Sequence, residues 1–317
     1  MFSFKRYGLL FFILLFLTSC AFWQSFSIKE IKKLEEAKEY LNVNDKDILI
    51  IFDIDRTLLV PVDKILRIRW NPEVFEKADI QFAQELLNNF QNAMKIKYNY
   101  DSNYEHHSLS RIMMEEKYKL VEPNTATFIR NLQLKGIKII ALTSLETGRF
   151  GVIDKMGQWR YQTLKEYGID FSHNFEFTEI VFDTLRPNFS SYPVFYKGIL
   201  MTGKLNPKGN VLKTFFDVIS WRPSKIYFFD DNKKCLESVS KAMQEEGIPF
   251  QGFWYKATFD VPVKLKLNRE VIKLQYDYLA NKNEYLTDIE AKNKLNQLDQ
   301  SKIIPNQKNY SEKKLQQ

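Results

Sequence analysis

The segment ILIIFDIDRTLLVP, Ile48 to Pro61, sets five apolar residues directly against two aspartates, Asp53 and Asp55, one residue apart. Ile48 to Phe52 has the length and unbroken apolar character of a strand buried on both faces, and the polar stretch NVNDKD before it marks its start. Like charges at the end of such a strand repel unless a cation or a proton comes between them. One acid at a strand end is commonly a turn cap. Here the pattern recurs: KIYFFDDN, Lys225 to Asn232, is a second apolar strand ending on paired acids, Asp230 and Asp231. Two such strands point to carboxylates gathered at one site, and an all-oxygen cluster suits Mg2+, which keeps waters and accepts a substrate phosphate.

Strand and helix patterns alternate on both sides of this segment. FSIKEIKKLEEAKEYLN carries apolar residues at Ile28, Ile31, Leu34 and Ala37, a helical stripe. From Pro61 to about Val121 the pattern is helical, with no convincing strand. Then come a helix over NTATFIRNLQLKG, the strand Ile137 to Leu142, and a helix over DKMGQWRYQTLKEYG that stops at Gly168. FEFTEIVFDT and VFYKGILMTG read as strands around a Pro/Ser turn. A helix opening at NPKGNVLKTFF, the strand before Asp230, the helix KKCLESVSKAMQEEG and the strand IPFQGFWY follow. The alternation predicts an α/β fold, a doubly wound, Rossmann-like parallel sheet with a helical insertion after the first strand. Ligands in such sheets sit at the carboxyl ends of the strands, where Asp53, Asp55, Thr143, Asp230 and Asp231 would all lie.

The chain has 317 residues, 44% hydrophobic and 27% charged, ample for a substantial core. Its net charge of +7 is spread along the chain rather than clustered, which argues against a nucleic-acid surface. The first twenty residues, MFSFKRYGLLFFILLFLTSC, have a basic start at Lys5 and Arg6, an apolar run from Leu9 to Leu17 and a small-residue end, the layout of a secretory signal. Leu17-Thr18-Ser19-Cys20 resembles a bacterial lipobox, in which the cysteine is acylated and becomes the first residue after cleavage. Cys20 is therefore the expected lipidation site and membrane contact, and Cys235 the only other thiol, which leaves no disulfide framework.

Four short motifs in order resemble those of the haloacid dehalogenase-like superfamily of phosphatases, over about Asp47 to Tyr255. Asp53-Ile54-Asp55-Arg56-Thr57 matches the first, and Ile139-Ile140-Ala141-Leu142-Thr143 the second. Lys208 in NPKGNVLKTFF matches the third, and Tyr227-Phe228-Phe229-Asp230-Asp231 the fourth. The resemblance implies Asp53 as the nucleophile, Asp55 as the acid and base, Thr143 as a hydrogen-bond partner of the phosphoryl group, and Lys208 as its counter-charge. Mg2+ would be held by Asp53, the backbone carbonyl of Asp55, Asp230 and Asp231. Lys213 and Ser144 stand as alternatives to Lys208 and Thr143. Lys208 is preferred for its place at a helix entrance, and Thr143 for directly following Leu142. The second motif-one aspartate favours phosphate esters over carbon–halogen bonds, and Arg56 takes a variable position suited to an outward charge.

These readings divide the chain into a signal peptide (1–19), a core (20–60 and 123–260), a helical cap (61–122) and a helical, polar C-terminal tail (261–317). The expected protein is an exported, lipid-anchored phosphatase of the bacterial cell envelope, on the periplasmic face or in the outer membrane. Its partner would be a small phosphorylated substrate. The competing reading is a surface lipoprotein of the same fold that binds a ligand or host partner without turnover. His106 and His107 point apart and lack a spaced metal-ligand partner. The aromatic series Phe175, Phe177, Phe182, Phe189, Tyr192, Phe195 and Tyr196 reads as strand core, and Cys235 as packing.

Overall fold

The computed structural model describes residues 26–99, 104–188, 191–259, 261–298 and 300. The signal segment and Cys20 lie outside them. No helix of the described residues is long and apolar enough to cross a membrane. By its contacts the chain divides into two compact units: Met1–Val60, Leu120–Arg149 and Asp154–Asp260 in one, and Pro61–Lys119, Phe150–Ile153 and Val261–Gln317 in the other.

In chain order the elements are strands β1 (Phe26–Ile31), β2 (Leu49–Phe52) and β3 (Leu59–Pro61), helices α1 (Lys64–Trp70), α2 (Lys77–Lys97) and α3 (Tyr104–Glu115), strand β4 (Tyr118–Leu120), helix α4 (Thr125–Leu134) and strand β5 (Lys138–Thr143). Helix α5 (Met156–Glu166), strands β6 (Glu179–Val181), β7 (Val194–Tyr196) and β8 (Ile199–Met201), helix α6 (Lys208–Ile219), strand β9 (Ile226–Asp230), helix α7 (Lys233–Glu245), strand β10 (Phe250–Tyr255) and helix α8 (Arg269–Lys282) follow. Strands β3 and β4 form a separate two-stranded ribbon.

The first unit is α/β, a mostly parallel sheet flanked by helices, in the order β1-β10-β9-β2-β5-β8-β7-β6. Pairing is parallel from β1 through β8 and antiparallel only in the β8-β7-β6 meander at one edge. Strand β2 lies between β9 and β5, with no exposure along Leu49–Phe52, because both of its faces are covered. Alternation sends Leu49 and Ile51 into the cluster that α6 and α7 close with Val211, Leu212, Phe215, Leu236 and Val239. Phe52 stacks on Phe229 at 4.6 Å, and Phe229 on Phe253 at 4.6 Å, so the opposite face is an aromatic row across three adjacent strands.

Two local expectations change. Ile28 and Ile31 do not share a helix: Phe26–Ile31 is the edge strand β1, parallel to Phe250–Tyr255, and only Leu34–Tyr40 is helical, as a 3-10 turn. Short apolar spacings fit both periods, and the open edge of β10 decides for the strand. In the aromatic stretch, the strands are limited to Glu179–Val181 and Val194–Tyr196. Phe175 lies outside any strand, yet packs edge-on against Phe195, Phe215 and Trp221, while Phe177 is exposed. Phe189 lies outside the described residues.

The second unit is mostly helical. Its core joins Ile65 and Leu66 of α1, Phe90 and Met94 of α2, Ile112 of α3, and Ile272, Tyr276 and Leu279 of α8. The segment 261–282, read from sequence as the start of a helical, polar tail, thus contributes Leu267, Ile272, Tyr276 and Leu279 to this core. Arg269 donates twice to Asp79 Oδ1 at 3.0 and 3.1 Å, and Leu267 N–H donates to Asp79 Oδ2 at 3.1 Å. The tail's abundant Lys and Asn mask an amphipathic helix whose apolar positions are few but well spaced.

Two predictions follow from packing within each unit. Gly209 lies where α6 meets α7, and a Cβ there would stand 2.3 Å from the carbonyl oxygen of Ser238 and 2.9 Å from Ala242 Cβ. Gly209→Ala should cost about 1–3 kcal/mol in a denaturation experiment, since backbone must move to admit the methyl group. In the helical unit, Glu116 is 7% exposed, and its Oε1 accepts from the N–H groups of Val62 and Asp63 at 2.8 and 2.9 Å. Burial, reinforced by Asp63 and Asp288 and opposed by those two donors, pushes its carboxyl up to about 8 from the ordinary 4.5. The folded state then holds a proton that the unfolded chain releases. That contribution is complete below the unfolded value and is lost as pH rises through about 8. Glu116→Gln, which keeps the acceptor oxygen, should flatten the decline in stability between about pH 5 and about pH 9, measured by urea midpoints.

Candidate active site

Register brings the acids together. Phe52 pairs with Phe229, and Asp53 N–H donates to the Phe229 carbonyl at 2.8 Å, so the next residue on each strand, Asp53 and Asp230, emerges at the same edge. Asp231 follows at once. One carboxylate oxygen from each of Asp53, Asp230 and Asp231 lies within 4.8 Å of the others, and all three residues are buried. This is the one such cluster of potential metal-binding side chains among the described residues. Three oxygen donors at that separation could hold a hard cation.

Lys208, the first residue of α6, closes the cluster. Its Nζ donates to Asp53 Oδ1 at 2.5 Å and to Asp230 Oδ2 at 2.7 Å, and the side chain is 3% exposed. Burial alone would lower the lysine's pKa. Asp230 and Asp53 outweigh it and raise the pKa, so the ammonium stays charged. Lys213 instead pairs with Glu246 at 2.6 Å on the surface. Thr143 ends β5, the neighbour of β2, and is 2% exposed, whereas Ser144 faces solvent.

Asp55 does not join the three. Beyond Asp53 the chain reverses tightly: the Ile54 carbonyl accepts from the N–H groups of Thr57, Leu58 and Leu59 at 3.3, 2.8 and 3.0 Å, with Arg56 in the left-handed region at φ 69°. The turn aims Asp55 at Arg160 of α5, whose Nη2 lies 3.0 Å from Oδ1 and 3.2 Å from Oδ2. The Asp55 pKa is raised, first by burial and then by Asp53, against the pull of Arg160 and Lys208.

Asp231 is held from three sides. Arg56 Nη2 pairs with its Oδ2 at 2.7 Å, its N–H donates to Thr57 Oγ1 at 3.2 Å, and its carbonyl accepts from Trp254 Nε1 at 2.9 Å. Arg56 is therefore not the outward charge expected from its variable position. Burial raises the pKa of Asp230 and Asp231, with Asp53 adding like-charge repulsion, while Lys208 and Arg56 oppose the rise. The negative charge of three buried carboxylates exceeds what one buried lysine and one partly exposed arginine return, which makes the site receptive to a further cation.

The sequence reading missed Arg160 and the pairing of Arg56. Arg160 sits in an unremarkable helix far along the chain, and nothing in its neighbours marks it. Arg56 could have been suspected, because a side chain between two site acids has few places to go. His106 packs against Phe150 at 4.5 Å, and neither it nor His107 enters a metal-binding group among the described residues. Cys235, on α7, has its thiol pushed up to about 12 by burial, as suits a packing role.

A solved chain from Burkholderia xenovorans LB400, described as a candidate haloacid dehalogenase-like hydrolase, aligns with 74% of this chain and 98% of its own. Its identity is 13% and its TM-score 0.38, too distant to bear on chemistry. An uncharacterized protein of Rickettsia prowazekii is 25% identical over 252 residues, covering 80% of this chain and 84% of the relative. One of Rickettsia conorii is 27% identical over 308 residues, covering 92% and 97%. The family model described as "Protein of unknown function (DUF2608)" matches residues 30–292, a span that contains every acid and cation of the cluster, and the chain belongs to that family.

Proposed function

We propose that this protein is a Mg2+-dependent phosphomonoester hydrolase that works through an aspartyl-phosphate on Asp53. The observation that carries the reading is the buried group of Asp53, Asp230 and Asp231 closed by Lys208, with Asp55 held apart from it. A structural salt bridge needs one acid for one lysine. Three acids against Lys208 and Arg56 still leave one negative charge over, which an all-oxygen cation site would use.

Asp53, Asp230 and Asp231, with the backbone carbonyl of Asp55, would hold Mg2+. When bound, it supplies charge neutralisation at the phosphoryl oxygens. A carboxylate oxygen of Asp53 attacks phosphorus as the bond to the ester oxygen breaks, and that oxygen takes a proton from Asp55. Asp55, now a carboxylate, removes a proton from water, whose oxygen attacks the same phosphorus. Inorganic phosphate leaves and the Asp53 carboxylate is restored. Thr143 hydrogen-bonds the transferring group, and Lys208 steadies the nucleophile and offsets its charge. Arg160 positions Asp55. The helical segment 61–122 would act as a substrate-selecting cap, and Cys20 as a lipid anchor on an exported protein; Cys20→Ser should abolish labelling by a fatty-acid probe.

Purified protein should hydrolyse an aryl phosphate in the presence of Mg2+. Asp53→Asn should lower kcat by about 10³-fold or more, while Lys213→Ala stays within about twofold of wild type. Inactivity across a broad phosphomonoester panel would sink the reading in favour of a binding protein. Binding of the ion has its own readout. Mg2+ should raise the melting temperature of the wild-type protein, and Asp230→Asn should remove most of that rise.

A further inference from the structure

We infer that the carboxyl edge around β10 carries a cationic shelf that binds a second phosphate of the substrate, beyond the one that reacts. This deepens the phosphohydrolase reading and rests on it. The shelf begins at Asp231, where Arg56 and Trp254 are fastened. Arg56 Cζ lies 5.6 Å from the centre of the Phe259 ring, and Lys256 Nζ lies 4.2 Å from the same ring. Lys256 Nζ is also 4.1 Å from the Trp254 ring, and Lys233 Nζ, at the start of α7, is 5.6 Å from that ring. Three cations are thus spaced by two aromatic rings, with Thr258 Oγ1 donating to the Arg56 carbonyl at 3.4 Å beneath them.

Internal demand does not account for these charges. Arg56 is matched by Asp231, but Lys256 has no carboxylate partner among the described residues, and Lys233 reaches only Glu237, at 4.0 Å between two exposed side chains. A lysine is normally a flexible, strongly hydrated charge. Here the two rings hold the Lys256 ammonium in place, so much of its ordering cost is met before any ligand arrives. The left-handed backbone of Arg56, unusual for a residue with a side chain, sets the guanidinium at the boundary between the acids and the shelf. An acidic centre bordered by Lys256, with no carboxylate partner among the described residues, and by the loosely paired Lys233 suits a ligand with two separated dianions. Both rings already face cations, so they are poorly placed to stack a nucleobase.

The test compares kcat/KM for a sugar bisphosphate, the matching monophosphate and an aryl phosphate, with Mg2+ present. The wild type should prefer the bisphosphate by about tenfold, mostly through KM, the size expected for one well-placed ionic contact. Lys256→Gln should erase that preference, Lys256→Arg should restore it, and the distant surface variant Lys135→Gln should leave it intact. Equal use of bisphosphate and monophosphate by wild type, or a Lys256→Gln effect equal on both, overturns the shelf while leaving the hydrolase reading standing. Preference for a sugar phosphate bearing a carboxylate over the bisphosphate overturns the assignment to phosphate. If no ester is hydrolysed, the hydrolase reading fails, and calorimetric titration with pyrophosphate decides the shelf separately. Binding weakened about tenfold in Lys256→Gln supports it. Binding unchanged, or absent in wild type, overturns it.

Discussion

The ion pairs from Lys208 to Asp53 and Asp230 are the contacts on which the rest of the first unit depends. A buried carboxylate is tolerated only when charge and hydrogen bonds are returned to it, and breaking one side of a buried pair costs about 3–5 kcal/mol. The sheet register places two such carboxylates on adjacent strands. Helix α6 must then deliver an ammonium to the same point, and it can do so because Gly209 lets it sit against α7 without a side chain between them. The apolar clusters on both faces of β2 keep that arrangement in place.

Around this centre the charges are layered. Lys208 lies inside the acid cluster, Arg160 and Arg56 each take one acid at its margin, and Lys256 stands outside held only by aromatic faces. Each cation therefore has a different task. The inner one offsets burial, and the marginal pair orients Asp55 and Asp231. Orientation matters to the proposed chemistry because Asp55 and Asp53, two residues apart, would act from different directions. The turn at Ile54 and Arg56 separates them, and Arg160 fixes the outcome.

The parts legible in the sequence were those with strong local signatures. An unbroken apolar run ending in acids identifies β2 and β9, and a place at a helix entrance favours Lys208 over Lys213; the structure sets Lys208 against Asp53 and Asp230. Parallel strands alternating with helices predict the kind of sheet. Where two periods fit a short segment, as at Ile28 and Ile31, local pattern could not distinguish helix from edge strand, because the deciding partner, β10, lies more than two hundred residues away. The segment after residue 260, read as a helical, polar tail, shows a related limit. Its composition is polar on average, and only the complementary face of α2 reveals that Ile272, Tyr276 and Leu279 are core.

Strand identity and the order of the acidic motifs were already present in residue types and spacing, since an unbroken apolar run and its abrupt change to charge are properties of the chain itself; the role of Asp53 came from the resemblance those motifs carry. Which charges meet was not present there. Arg160 on Asp55 and Arg56 on Asp231 are both partnerships across distant segments. Electrostatic pairing falls on whichever groups the register and the turns bring within a few ångströms, and one-dimensional order carries no record of that distance.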